Sequence, residues 1–135
     1  MTDKLYAVLH KPKYLRLKQV RTEAELDGVR LSVLPSGISY DRDNIQTSPV
    51  DPMPIYLEQV EALLEKLRKI KQERADAISD VIDLADDLDD NEGTIIVLRF
   101  ISEKSFPDIA SDMHRSDRQI YRDYRRAISL LEKKI

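Results

Sequence analysis

Phe100 to Ile135 reads FISEKSFPDIASDMHRSDRQIYRDYRRAISLLEKKI, and this stretch holds two helix starts eleven residues apart. At the first, Ser105 can accept from the early amides, Asp108 three residues on can reach back to the cap, and Pro107 fits a first turn where its missing N–H costs little. At the second, Ser116 and Gln119 repeat the arrangement. One long helix would not need two such starts. The pattern therefore predicts a short helix to Met113, a tight turn through His114 and Arg115, and a second helix from Ser116 onward. Ile109, Ala110 and Met113 give the first helix an apolar side, and Ile120, Tyr124, Ala127 and Leu131 recur at helical spacing on the second. The small Ala110 lets the two helices approach closely. His114 takes a turn position where glycine is common, and histidine tolerates a left-handed backbone better than branched residues do.

The opposite side of the second helix is basic. From His114 to Ile135 there are seven Lys or Arg against three Asp or Glu, a local net of +4 in a chain whose formal net charge is −3. A row of this kind neutralises phosphates and releases counterions, while residues near a helix start reach base edges in the major groove. Double-stranded DNA is the expected partner. Arg118 and Gln119 suit base reading through bidentate contacts, and Arg122, Arg125 and Arg126 suit phosphate clamping. Arg115, Ser116 and Tyr121 complete the candidate DNA-binding surface. The competing reading is an ordinary solvated face, since arginines on exposed helices are common and Asp117 and Asp123 dilute the positive field.

Three segments carry a resemblance: Leu98-Arg99-Phe100-Ile101, Phe106-Pro107-Asp108-Ile109-Ala110, and Ser116-Asp117-Arg118-Gln119-Ile120-Tyr121-Arg122. Together they resemble the C-terminal helix-turn-helix of small phage-encoded transcriptional regulators of the RinA and ArpU type. The helix-turn-helix of that group is similar to the promoter-reading last domain of sigma factors. The likeness is strongest over about the last forty residues, and Pro107 stands where an acidic or polar residue is expected. The resemblance places Ser116, Arg118, Gln119 and Arg122 on a recognition helix. It implies a sequence-specific regulator of late or packaging genes. Two alternatives stand beside it: a DNA-packaging recognition subunit of the small-terminase kind, and a protein-interaction module that binds an acidic partner without DNA.

Composition agrees with a small helical regulator rather than an enzyme. The 135 residues include 35% charged side chains and 6% aromatics, with three glycines, no tryptophan and no cysteine. The lack of cysteine excludes disulfides, thiolate metal sites and a cysteine nucleophile. His10 and His114 are far apart, no serine sits in a nucleophile elbow, and no glycine-rich phosphate cradle occurs. No catalytic residue, metal site or cofactor is expected. Without a signal peptide or a long apolar run, the expectation is a soluble protein in the cytoplasm of a bacterial host cell.

The expected fold is all-α: an N-terminal helical hairpin or coiled-coil arm over residues 1–90, then the helix-turn-helix domain over 91–135. Within the arm a helix is predicted at about 12–27, a loop or short hairpin at 28–54, and a long helix at about 55–88. The long helix carries a heptad seam, with Val60, Leu67, Val81 and Leu88 at one core position and Leu63, Ile70, Ala77 and Leu84 at the other; Arg74 interrupts the first series. Tyr14, Leu17, Arg21 and Ala24, supported by Leu15 and Val20, form the stripe expected to cover part of the seam. The remainder is expected to meet a second subunit, giving a homodimer. Between the helices, Val29, Leu31 and Val33 alternate before Pro35-Ser36-Gly37, and Ile38 and Tyr40 alternate after it, a pattern compatible with a hairpin or a loop. From Asp76 to Glu92 there are eight acidic residues and no Lys or Arg. This run reads as a solvated face ending in a hinge at Asp90-Asn91-Glu92-Gly93, lacking the ligand spacing of a calcium loop. Its charge suits a basic protein surface such as that of host RNA polymerase.

Overall fold

The computed structural model describes residues 1–33 and 53–135, and among them the chain is all-α. Five helices follow in order: α1 (Asp3–Val33), α2 (Met53–Asp86), α3 (Asp90–Phe100), α4 (Phe106–Met113) and α5 (Asp117–Lys134). By compactness the chain divides into two units, residues 1–17 with 72–135, and residues 18–71.

In the first unit, the start of α1, the end of α2 and the three shorter helices share one core. Leu5 and Leu9 of α1 meet Val81 and Ala85 of α2, Ile96 and Phe100 of α3, and Ala127 and Leu131 of α5. A second cluster joins Ile95 of α3, Ile109 and Ala110 of α4 and Ile120 of α5, and Tyr124 packs against both clusters. Every apolar residue expected on the inner sides of α4 and α5 is buried or half-buried there. Gly93 marks a close approach of α3 to α2, since a Cβ at this position would lie 2.7 Å from the Ala85 carbonyl oxygen.

In the second unit, Thr22 and Leu26 of α1 and Leu67 and Ile70 of α2 are buried, and Lys66 pairs with Glu25 between the two helices at 3.7 Å. That ion pair is half-exposed and adds little; burial of the apolar side chains dominates.

The heptad seam of α2 is partly covered within the chain. Leu67, Ile70, Ala77 and Val81 are buried, and Val60, Leu63, Leu84, Leu88 and Arg74 are half-buried.

Several local expectations are corrected. The first helix begins at Asp3, not at Pro12, because Thr2 caps it: the Thr2 hydroxyl accepts from Leu5 N at 3.3 Å, and its carbonyl accepts from Tyr6 N at 2.9 Å. Pro12 lies inside the helix and is buried. The covering stripe is also different. Tyr14, Leu17, Val20, Arg21 and Ala24 are exposed, whereas Leu5, Leu9, Pro12 and Leu15, then Thr22 and Leu26, face inward. Val29, Leu31 and Val33 are helical, so they are not the first strand of a hairpin; Ile38 and Tyr40 lie outside the described residues. The long helix starts two residues earlier than expected, with Pro54 in its first turn, and ends at Asp86.

Asp90-Asn91-Glu92-Gly93 is not a hinge but the first turn of α3. Asp89 is its cap, accepting from Glu92 N at 2.8 Å. The other acids of the run, Asp76, Asp80, Asp83, Asp86, Asp87 and Asp90, are exposed. Among the described residues no three His, Asp or Glu side chains converge as metal ligands. No described helix is long and apolar enough to cross a membrane.

Candidate nucleic-acid interface

Backbone chemistry sets the geometry of the face. Ser105 caps α4 by accepting from Asp108 N at 3.3 Å, with Pro107 in the first turn. α4 ends on His114 in the left-handed region, φ 55° and ψ 45°. There His114 N donates to Ser111 O at 3.3 Å and Arg115 N to Ala110 O at 3.0 Å, the paired bonds of a Schellman ending with histidine in the usual place of glycine. Ser116 then opens α5 with a full capping box: its hydroxyl accepts from Gln119 N at 3.2 Å, and Gln119 Oε1 accepts from Ser116 N at 3.1 Å. Helix, three-residue turn and helix therefore stand where the two caps place them.

The eight residues assigned to this surface separate into two groups. Arg118, Gln119, Tyr121, Arg122, Arg125 and Arg126 are exposed along α5, with Ser116 at its cap, while Arg115 is half-buried. Two of the arginines have structural duties that the arginine count did not reveal, and Ser116 and Gln119 carry the cap expected of them. Arg115 Nη1 donates to Asp123 Oδ2 at 2.7 Å, tying the turn to α5. Arg126 Nε lies 3.1 Å from Glu92 Oε1, and the Glu92 side chain is only 3% exposed. Gln119 spends its carbonyl oxygen on the cap, and a bidentate adenine contact needs that same oxygen.

Arg118, Arg122 and Arg125 remain as the outward basic row. None of the three has an acidic partner among the described residues. Along α5 these three positions span about 10 Å at the rise of an α-helix. Arg125 is held in place from below: its guanidinium sits 4.7 Å from the centre of the Tyr121 ring. Tyr121 in turn meets the Phe106 ring edge-on at 5.4 Å, and Arg99 stacks over Phe106 at 4.4 Å. Arg99, Phe106, Tyr121 and Arg125 thus form a ladder of alternating cations and rings through α3, α4 and α5. Cation–π contact and ring packing restrict the Arg125 head before any ligand arrives, which lowers the ordering cost of binding. An open groove is lined by Phe106, Asp117, Arg118, Tyr121, Arg122 and Arg125.

Two carboxyl groups shape the surrounding field. Burial pushes the Glu92 carboxyl above its ordinary range, with the Asp89 charge adding to the shift and the Arg126 charge opposing it. Glu103 moves the other way. It occupies the loop after α3 with φ 57°, and hydrogen bonding from Arg16, whose Nη2 lies 2.8 Å from Glu103 Oε1, holds its carboxyl below the usual range. The neighbouring positive charges of Arg16, Lys13 and Arg74 act in the same direction.

Sequence reasoning missed Phe106 and Arg99 as parts of this face, and it missed Glu92 and Asp89 as its support; Asp117 was read only as diluting the positive field. The spacing of Asp89 and Glu92 is itself a helix-start signal that the surrounding acidic run obscured. Comparison with protein-family models, with curated proteins and with solved structures returned no match.

Proposed function

We propose that this chain is a sequence-specific double-stranded DNA-binding protein, a transcription regulator of the phage late-gene or packaging-gene kind, with α5 as its recognition helix. The observation that carries the reading is the outward row of Arg118, Arg122 and Arg125 beside the capped start of α5, all three without acidic partners among the described residues. Exposed arginines on a helix whose first turn projects beyond a short turn are the parts that major-groove readers use. The phage-regulator assignment rests on the resemblance of the quoted motifs. Catalysis forms no part of the proposal, and neither does a cofactor.

A homodimer belongs to the proposal because one small recognition helix gives limited affinity, and paired half-sites raise it. On α2, Val60 and Leu63 of the seam stay half-buried and Ile55, Leu57 and Leu64 are exposed, which leaves apolar surface for a second copy. α1 leaves Tyr6, Tyr14 and Leu17 exposed in the first unit and Val20 and Leu31 in the second. The exposed row Asp76, Asp80 and Asp83 repels DNA and suits a basic protein surface, with host RNA polymerase as the proposed partner.

The test is selection from a random duplex pool followed by sequencing of the retained fraction. An enriched, two-part site supports a dimeric sequence reader. Salt-sensitive retention without enrichment would reduce the function to nonspecific binding, and no retention at low salt would leave the protein-interaction reading in its place.

A further inference from the structure

The groove between the starts of α4 and α5 has walls of three different chemistries. Phe106 and Tyr121 form an aromatic wall, Arg118, Arg122 and Arg125 supply donors, and Asp117 supplies a carboxylate. A phosphate would suit the arginines but would be repelled by Asp117 at the same groove. Base edges fit all three walls: guanine O6 and N7 accept from arginine, the cytosine N4 amine donates to a carboxylate, and the thymine C5-methyl packs on apolar surface. Tyr121 is 45% exposed although Phe106 meets its ring edge-on and Arg125 stacks on it, so its remaining surface is available to a ligand.

We infer that this groove is a base-edge reader for a thymine beside a G·C pair, with Phe106 and Tyr121 contacting the thymine methyl. Arg118 or Arg122 donates to the adjacent guanine, and Asp117 accepts from the cytosine paired with it. Arg125, held on the Tyr121 ring, serves the flanking phosphate. The inference rests on the DNA-binding reading above and adds Phe106 and Asp117 to the residues that set specificity.

The test uses the full chain and the duplex recovered by selection, with each thymine replaced in turn by deoxyuridine, which lacks only the methyl group. Burial of one methyl against aromatic carbon corresponds to about a fourfold loss of affinity at one position. Replacing the neighbouring guanine by its 7-deaza form removes an acceptor and should cost about tenfold. Tyr121→Ser should abolish the thymine/deoxyuridine difference, and Tyr121→Phe should keep it, with circular dichroism checking that each variant is folded. If Tyr121→Ser does not fold, the replacement series on the unaltered protein still decides. Specific binding in which no thymine replacement changes affinity by as much as about twofold would overturn the inference while leaving DNA recognition intact. Absence of any specific duplex binding would overturn the parent reading instead.

Discussion

Removing Arg126 should destabilise the fold rather than merely weaken a phosphate contact. The Glu92 carboxylate is 3% exposed and has Arg126 Nε at 3.1 Å. Arg126→Ala would leave that charge buried without its cation, a loss in the range of about 1–3 kcal/mol. Because the Arg126 side chain is itself 69% exposed, solvent screens the attraction, which sets the expectation at the lower end, about 1–1.5 kcal/mol. For a chain of this size that corresponds to a fall in Tm of roughly 4–6 °C. Glu92→Gln keeps the shape and removes the buried charge. Arg126 then stays solvated, so stability should hold or rise, and Arg126→Ala in that background should cost under about 0.5 kcal/mol.

The pH dependence gives a second check. Burial raises the Glu92 carboxyl above its unfolded value, so the folded chain holds that proton more tightly. The stabilisation is fully present below the unfolded pKa and is lost as pH rises through the folded one. Arg126 opposes the shift, and its removal raises the folded value further. The deficit of Arg126→Ala should therefore be small near pH 4 and complete by about pH 7. Thermal melts followed by circular dichroism at both ends of this window measure it. A variant melting within about 1 °C of the parent at pH 7, while losing as much DNA affinity as Arg122→Ala, would refute the assignment of Arg126 to Glu92.

Two further substitutions test the frame that presents the face. Gly93→Ala puts a Cβ 2.7 Å from the Ala85 carbonyl oxygen, so α3 must move away from α2; a loss of about 1–3 kcal/mol in denaturant titrations is expected, and an unchanged midpoint would contradict the close approach. His114→Gly relieves a left-handed residue at φ 55° and should raise stability by about 0.5–1 kcal/mol after the extra chain entropy of glycine is counted, with DNA affinity unaltered; destabilisation would show that the imidazole makes contacts worth more than the backbone strain.

The C-terminal helices were legible because their signals are local. Ser105 and Ser116 each accept a bond three residues on, and the inward residues from Ile109 to Leu131 follow one helical period on each element. The seam of α2 was legible for the same reason. α1 was misread because its apolar residues divide between two sides. Near its start, Leu5, Leu9 and Leu15 turn inward while Tyr6, Tyr14 and Leu17 are exposed; farther on, Leu26 is buried and Val20 and Leu31 are exposed. Periodicity alone cannot choose between two such stripes, and Pro12 suggested a helix start where the Thr2 cap had already provided one. Pairings between distant residues, such as Arg126 with Glu92 or Arg99 with Phe106, leave no periodic trace at all. Arginine counting therefore overstated the donors on the face: Arg115 and Arg126 belong partly to its scaffold.

The most direct test of DNA recognition by α5 is the salt dependence of duplex binding, compared between the unaltered chain and the folded triple variant Arg118→Ala, Arg122→Ala, Arg125→Ala. The account predicts a linear fall of log affinity with log salt, and a slope smaller by about 1–2 in the variant, close to one for each lost phosphate contact. Equal slopes and affinities for the two proteins, or no duplex binding by the unaltered chain at low salt, would contradict it.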